Sequence, residues 1–165
     1  MPRRALLVLD ANVLIDYVHA ARSILRLTVQ HLGDVFVPAA VLDEVEDLSR
    51  EDCEALGIQV ATATEEQVTE AAAFGRKGPL SFHDRLFVLM ARDERWICLT
   101  NDRSLRAACE REKLEVRWGL RIMLDLVAMD ALDADEAERI ARAIAEENPF
   151  ITASILSDFC RNLGR

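Results

Sequence analysis

The chain has 165 residues, of which 51% are hydrophobic and 30% charged, which fits one folded domain and excludes a disordered protein. Its formal net charge of -9 argues against binding nucleic acid through a basic surface, but not against approaching phosphates through bound metal ions. No apolar run is long enough to cross a membrane, and four scattered cysteines indicate a reducing, cytoplasmic compartment and not a zinc site.

Apolar runs and helical periodicity divide the chain into alternating strands and helices. A continuous apolar run over residues 6–9 ends at Asp10 and is typical of a strand buried on both faces. Helices are predicted over residues 12–19, 21–31, 39–50, 64–74, 81–94, 104–113 and 119–127, and strands over 34–37, 57–60, 96–99 and 115–118. Residues 133–163 predict two further helices, divided near residues 148–149, and residues 75–79 predict a mobile loop.

The alternation of strands with helices predicts an α/β fold with a largely parallel central sheet. Right-handed crossovers would place helices on both faces of that sheet, in three layers. Ligands of such sheets bind at the carboxyl ends of the strands. Asp10 directly follows the first strand, and Asp102 follows the strand predicted over residues 96–99. Both aspartates are therefore expected at the edge where ligands bind.

Two more acidic residues lie beside the apolar faces of predicted helices. Glu44 lies on the flank of the face that begins at Val41 and continues to Leu48, and Asp84 heads the apolar face of the helix over residues 81–94. Because an unpaired buried carboxylate is costly, Asp84 is unusual at that place. Structural explanations stay open for both: Glu44 as an ordinary solvated charge, and Asp84 as the partner of Ser81 in a capping box.

Asp10 and Asp102 also have a structural explanation, since either could be the N-cap of the helix that follows it.

The occurrence of all four acids at such positions is stronger evidence for a functional site than any one of them alone. Four carboxylates brought together repel and raise each other's pKa unless a cation neutralises them. Hard oxygen ligands select Mg²⁺ or Mn²⁺. Such a site suits phosphodiester hydrolysis, because a bound metal makes a nucleophile from water and a second metal stabilises the leaving oxygen.

Four short motifs in this order resemble the PIN domain, a metal-dependent ribonuclease fold, and within it the VapC-type toxins of toxin–antitoxin pairs. The motifs are LDANVL, VPAAVLDE, SFHDRL and LTNDRSL, at residues 9–14, 37–44, 81–86 and 99–105. The resemblance implies a three-layer α/β/α fold with a central, mostly parallel sheet. It places a PIN-like nuclease domain at residues 1–130 and a C-terminal helical extension, packed on the same domain, at residues 131–165.

The resemblance also implies roles for individual residues. Its catalytic and metal-binding quartet of Mg²⁺ or Mn²⁺ ligands corresponds to Asp10, Glu44, Asp84 and Asp102. Asn12 and Thr100 would orient these carboxylates or the substrate. Ala11 departs from the pattern, because many members carry a threonine or serine there. The implied function is an endoribonuclease, with RNA as substrate, an antitoxin protein as partner and a homodimer as assembly.

Two other functions remain open at this stage. A non-catalytic PIN-like module that binds protein or RNA is compatible with the acidic composition and with Ala11. A receiver-like phosphoacceptor domain would also cluster aspartates, but it needs a lysine near a late strand end, and neither Lys77 nor Lys113 follows an apolar strand. Trp96 and Trp118 flank predicted strands, which favours packing in the core or at the sheet edge over stacking on nucleobases.

Overall fold

The computed structural model describes residues 3–73 and 78–164. Its strands are β1 (Ala5–Leu9), β2 (Gly33–Pro38), β3 (Gln59–Ala61), β4 (Ile97–Leu99) and β5 (Val116–Arg117). Its helices are α1 (Ala11–Ala20), α2 (Arg22–His31), α3 (Ala39–Leu42), α4 (Arg50–Leu56), α5 (Glu65–Ala73), α6 (Phe82–Glu94), α7 (Arg103–Arg111), α8 (Arg121–Ala128), α9 (Ala134–Glu147) and α10 (Ala153–Asn162). Residues 75–77 of the predicted mobile loop, and residue 74 at the end of a predicted helix, lie outside the described residues.

The strands form one parallel sheet in the order β3-β2-β1-β4-β5, with helices flanking it. The predicted α/β fold with a C-terminal helical extension is confirmed. β1 is the central strand, which explains its continuous apolar run, and Leu7 to Leu9 are at most 2% exposed. β1 and β2 approach closely at their start: a Cβ on Gly33 would lie 2.3 Å from the carbonyl oxygen of Ala5, so only glycine fits there.

The predicted helix over residues 39–50 is wrong, whereas the other predicted helices and strands agree with the described residues within about two or three residues at their ends. α3 ends at Leu42, turns follow, and α4 begins at Arg50. In a continuing helix, the acidic residues at positions 43, 44, 46 and 47 would repel each other, because they are spaced three and four residues apart. Ser49 and Asp52 form a capping box that begins a new helix. The buried apolar residues that suggested one helix lie partly in these turns.

The helices after β5 extend the same hydrophobic core. α9 packs against α1 and α8, and α10 packs against α9. The buried residues of these two helices, from Ala137 and Ile140 on α9 to Phe159 on α10, belong to the cluster that contains β1. Among the described residues, no helix is both long enough and apolar enough to span a bilayer.

Candidate functional site

The carboxyl ends of β1, β4 and β5 bring three residues into one row. The register of β1 with β4 and of β4 with β5, continued by one residue, aligns Asp10, Thr100 and Trp118. Backbone hydrogen bonds continue at this row: the N–H of Asp10 donates to the carbonyl of Leu99 at 3.0 Å, and the N–H of Thr100 donates to the carbonyl of Arg117 at 3.1 Å. The sheet therefore fixes the relative positions of these three residues.

Asp10 is the buried acid of this row, at 7% exposure. Its Oδ1 accepts a hydrogen bond from the Ala11 N–H at 2.7 Å, which caps α1, and its Oδ2 accepts one from the Thr100 hydroxyl at 3.0 Å. Burial raises the pKa of Asp10 to about 6, although both hydrogen bonds favour the charged form. The negative charges of Asp84 and Asp102 raise this pKa further. Asp10 thus lies close enough to both aspartates for their charges to interact.

Asp84 and Asp102 each occupy the start of a helix. Ser81 caps α6 by accepting the Asp84 N–H at 3.1 Å, and Asp102 caps α7 by accepting the Leu105 N–H at 2.9 Å. Burial raises the pKa of Asp84, hydrogen bonds from Ser81 lower it, and the charges of Asp102 and Glu44 raise it again. The structural explanation by capping is therefore correct for both aspartates, and both also face other carboxylates.

Glu44 is placed differently from the expectation. It lies in the turn after α3 and not on the flank of a helix, and its side chain is 47% exposed. Its Oε1 lies 2.7 Å from Nδ1 of His83 in the first turn of α6. The charge of Glu44 nevertheless acts on Asp84. We call Asp10, Glu44, Asp84 and Asp102 the acidic edge, with Glu44 on its outer, solvent-exposed side.

Thr100 connects the acidic edge to its neighbours. The side chain is fully buried, and its hydroxyl donates to Asp10 and accepts the N–H of Asp102 at 3.1 Å. Its carbonyl oxygen accepts a hydrogen bond from Nη1 of Arg106 at 3.2 Å. Asn12, by contrast, is exposed and makes no side-chain hydrogen bond within the part of the chain that the structure describes. Of the two predicted orienting residues, the structure gives a carboxylate contact to Thr100.

Two residues at this edge were not predicted as site residues. Trp118 is 47% exposed, and the guanidinium of Arg106 lies 3.6 Å from the centroid of its indole ring. The two tryptophans lie in different surroundings. Trp96 belongs to the core, where it is 4% exposed and stacks on Phe36, and Trp118 lies at the edge of the sheet, directly after β5. In the structure Trp118 directly follows β5, as Asp10 follows β1, but the strand predicted over residues 115–118 included Trp118 and so hid this position.

The donor chemistry of the acidic edge fits a hard divalent cation, but the side chains are not gathered into a closed cage. Within residues 3–73 and 78–164, no group of three or more His, Cys, Asp and Glu side chains is close enough to hold a metal ion. Mg²⁺ usually keeps several waters and binds through one or two carboxylates together with substrate phosphates, so it does not need such a cage. Within the same ranges, no cationic side chain pairs with Asp10, Asp84 or Asp102.

The fold and this edge define the class of protein: an α/β protein whose acids lie at the carboxyl ends of a parallel sheet. Residues 7–117 match the PIN domain family, and because this match covers more than half of the chain, the chain belongs to that family. PIN domains are generally nucleases and typically use divalent metal ions. The matched residues include the whole acidic edge. A comparison with curated proteins gave no match.

Proposed function

We propose that this protein is an endoribonuclease that hydrolyses RNA phosphodiester bonds with Mg²⁺ or Mn²⁺ held at Asp10, Glu44, Asp84 and Asp102. One observation carries the proposal. Three aspartates interact at the carboxyl edge of the sheet, and no cationic side chain of the described residues neutralises them. Such an arrangement is unfavourable by itself, and a bound divalent cation would relieve it.

The chain's own groups would position the reaction. The Ala11 N–H and the Thr100 hydroxyl hold the two oxygens of Asp10 in a fixed orientation. Asp84 and Asp102 are fixed by the first turns of α6 and α7. Bound at these carboxylates, a divalent ion would lower the pKa of water and stabilise charge on the leaving oxygen. The buried position of Asp10 limits the water that competes with these interactions.

The test is cleavage of a fluorescently labelled single-stranded RNA by the full chain. We expect cleavage with Mg²⁺ or Mn²⁺, none with EDTA, and a loss of at least about 100-fold in Asp10→Asn and Asp84→Asn, because each removes a charged ligand and even the residues that support metal ligands are worth about 10- to 100-fold. Glu94→Gln is the matched control, because Glu94 is an exposed acid at the far end of α6. Cleavage that survives both EDTA and Asp10→Asn would overturn the proposal.

A finer part of the proposal is that the protein is the toxin of a type II toxin–antitoxin pair, acting as a homodimer. The net charge of -9 and the uncompensated aspartates favour a partner that inserts a basic side chain into the acidic edge. The test is expression of the chain alone and together with the product of the neighbouring reading frame. We expect growth arrest that the neighbour relieves and that Asp10→Asn abolishes, and a dimer by light scattering. Unchanged growth would overturn the toxin assignment.

We also propose the division into a nuclease domain over residues 1–130 and a helical extension over residues 131–165. The family match supports the first, since it ends at residue 117. The packing of α9 on α1 and α8 supports an extension that shares the core of the domain and does not fold separately.

A second candidate is a non-catalytic PIN-like module that binds protein or RNA. The observation that favours it is the loose spacing of the acids, since no closed metal-binding group forms among the described residues. Isothermal titration with Mn²⁺ separates the two. Binding that Asp10→Asn and Asp84→Asn weaken supports the nuclease, and no binding by the wild-type chain supports the module.

A further inference from the structure

We propose that Trp118, with Arg106 on one face of its indole, is a stacking platform for a nucleobase of single-stranded RNA next to the phosphate cleaved at the acidic edge. The inference rests on the proposed ribonuclease function and adds to it the form of the substrate and the residues that hold it.

Exposure is the first observation. Trp118 leaves 47% of a large aromatic side chain in contact with solvent, whereas Trp96 of the same sheet is 4% exposed. A tryptophan that only packs at a sheet edge would bury most of its apolar area, because that burial stabilises the fold. Every nucleobase has an aromatic face that stacks on such a ring without demanding a particular sequence.

The position of Trp118 is the second observation. Asp10, Thr100 and Trp118 continue the register of three adjacent strands and so stand in one row. With neighbouring strands about 4.8 Å apart, the backbone of Trp118 lies roughly 10 Å from that of Asp10. A base stacked there would belong to a nucleotide near the one whose phosphate meets the carboxylates.

The third observation is that hydrogen bonds hold the backbone that carries Trp118. The Gly119 N–H donates to Oδ1 of Asn101 at 2.9 Å, and the buried Tyr17 hydroxyl donates to the Gly119 carbonyl at 2.7 Å. The Arg121 N–H donates to the carbonyl of Trp118 at 3.0 Å. An aromatic side chain carried by a fixed backbone loses less conformational entropy when a ligand binds than one on a free segment, which favours affinity.

Charge is the fourth observation. Arg106 lies 3.6 Å above the indole and donates to the Thr100 carbonyl, and no carboxylate of the described residues forms an ion pair with it. Since this guanidinium has no carboxylate partner among the described residues, it can attract an RNA phosphate that the net charge of -9 would otherwise repel. Arginine against one face of an aromatic ring also strengthens stacking on it.

These features favour single-stranded RNA over a duplex, since the bases of a duplex are already stacked on each other and their faces are not available. Sequence-specific and non-specific binders of RNA single strands both use splayed bases on aromatic side chains. The alternative occupant of this surface is a segment of a partner protein, which would contact the indole ring in the absence of RNA. The experiment below distinguishes the two.

The experiment uses intrinsic fluorescence, because the chain has two tryptophans and one of them is buried. A single-stranded octanucleotide of RNA is titrated into Asp10→Asn with Mg²⁺, and into the wild-type chain with EDTA, so that no substrate is consumed. We expect saturable quenching by the single strand in at least one of these conditions, and none by a duplex of the same sequence. The signal should disappear in Trp118→Phe, which identifies Trp118 as its source.

Affinity and kinetics are then compared between variants. Trp118→Ala should weaken binding of the single strand roughly 5- to 150-fold and raise KM more than it lowers kcat, and Trp118→Phe should weaken binding less. Phe150→Ala, which removes another exposed aromatic side chain, should leave binding and cleavage unchanged. Thermal unfolding checks that each variant is folded, which is expected because about half of the Trp118 side chain is already exposed.

The outcomes separate this inference from the ribonuclease itself. If the wild-type chain cleaves RNA and Trp118→Ala binds and cleaves within twofold of it, the platform is wrong and the nuclease stands. If Trp118 is quenched by RNA but no cleavage occurs with Mg²⁺ or Mn²⁺, the RNA platform stands and the nuclease is wrong. If Trp118→Ala binds RNA as the wild-type chain does but no longer binds the product of the neighbouring gene, the surface around Trp118 binds a protein partner and the inference is overturned.

Discussion

Helix α1 carries two aspartates whose surroundings differ in an instructive way. Burial raises the pKa of Asp10, at the N-cap, and of Asp16, within the helix, to about 6 in both cases. Around Asp10, two further carboxylates add negative charge. Around Asp16, the side-chain amide of Asn148 donates to Oδ1 and Oδ2 at 3.2 and 3.0 Å. We call Asp16 and Asn148 the helical junction, since they join α1 to the end of α9.

The comparison shows that an equal pKa rise does not mean an equal role. At the helical junction, Asn148 donates to both oxygens of the half-buried carboxylate, and the charges of Glu147 and His19 act on it in opposite directions, so the result is a structural contact. At the acidic edge, Ala11 and Thr100 also donate to Asp10, but no cation of the described residues opposes the two added carboxylates, which costs stability unless something outside the chain neutralises them. Function is therefore inferred from the neighbours of a buried group and not from its pKa alone.

The largest expected effect tests whether the C-terminal helices are structural. Ile144 on α9 is 2% exposed, and Ile144→Ala should lower the free energy of unfolding by about 2–5 kcal/mol through lost burial and a cavity. Ile155→Ala is the control, since Ile155 on α10 is 38% exposed and should cost about 0.5 kcal/mol or less. Urea denaturation measures both. Equal costs would mean that α9 does not contribute to the core.

The second prediction concerns the hydrogen bond between Thr100 and Asp10 at the acidic edge. Thr100→Val removes the hydroxyl that orients Asp10 and should lower kcat/KM for RNA cleavage by about 10- to 100-fold. Thr28→Val is the matched control: Thr28 is equally buried, but its hydroxyl donates to the Ile24 carbonyl within α2. Similar activities of the two variants would show that the Thr100 hydroxyl does not position Asp10 for the reaction.

A third prediction uses pH and metal to separate the two aspartates. A raised native pKa means that the native state binds more protons than the unfolded chain between about pH 4 and pH 6, so stability falls as the pH rises through that window. In Asp10→Asn and in Asp16→Asn, the free energy of unfolding should therefore fall less between these pH values than in the wild-type chain. The difference should be about 1–2 kcal/mol for each variant, after allowance for solvent screening.

Divalent metal gives the contrast between these two variants. At pH 7.5, Mn²⁺ should raise the melting temperature of the wild-type chain and of Asp16→Asn, but not that of Asp10→Asn, because the helical junction has no part in binding metal. Differential scanning calorimetry with and without Mn²⁺ measures this. Equal stabilisation of both variants would remove the distinction between the two regions.

The smallest effect concerns the helical junction itself. Asn148→Ala removes the donor to both oxygens of Asp16 and should cost about 1 kcal/mol at pH 8, where the carboxylate is charged. At pH 4 the protonated carboxyl needs that donor less, so the cost should shrink. Asn162→Ala, at the exposed end of α10, is the control and should be neutral at both values. A cost independent of pH would argue against a charge-dependent contact.

Apart from the helix expected over residues 39–50, the secondary-structure elements and their order could be predicted from the amino-acid sequence. The apolar run of β1 requires burial on both faces, and the alternation of strands and helices requires a parallel sheet, since local patterning and chain connectivity allow few other arrangements. It also indicated Asp10, directly after the first strand, and Asp102, three residues after the end of the strand at 96–99, because residues that follow parallel strands lie at the carboxyl edge. The cap of α6 at Ser81 likewise follows from local sequence alone.

How these residues meet follows from the packing of the elements and could not be predicted from the sequence. Periodicity placed Glu44 on a helix, but the helix ends at Leu42 because adjacent acids and a competing cap act together. The approach of Arg106 to Trp118, and the pairing of Asp16 with Asn148, join residues on separate elements. Such contacts depend on the packing of whole elements in three dimensions, and no local pattern in the chain encodes them.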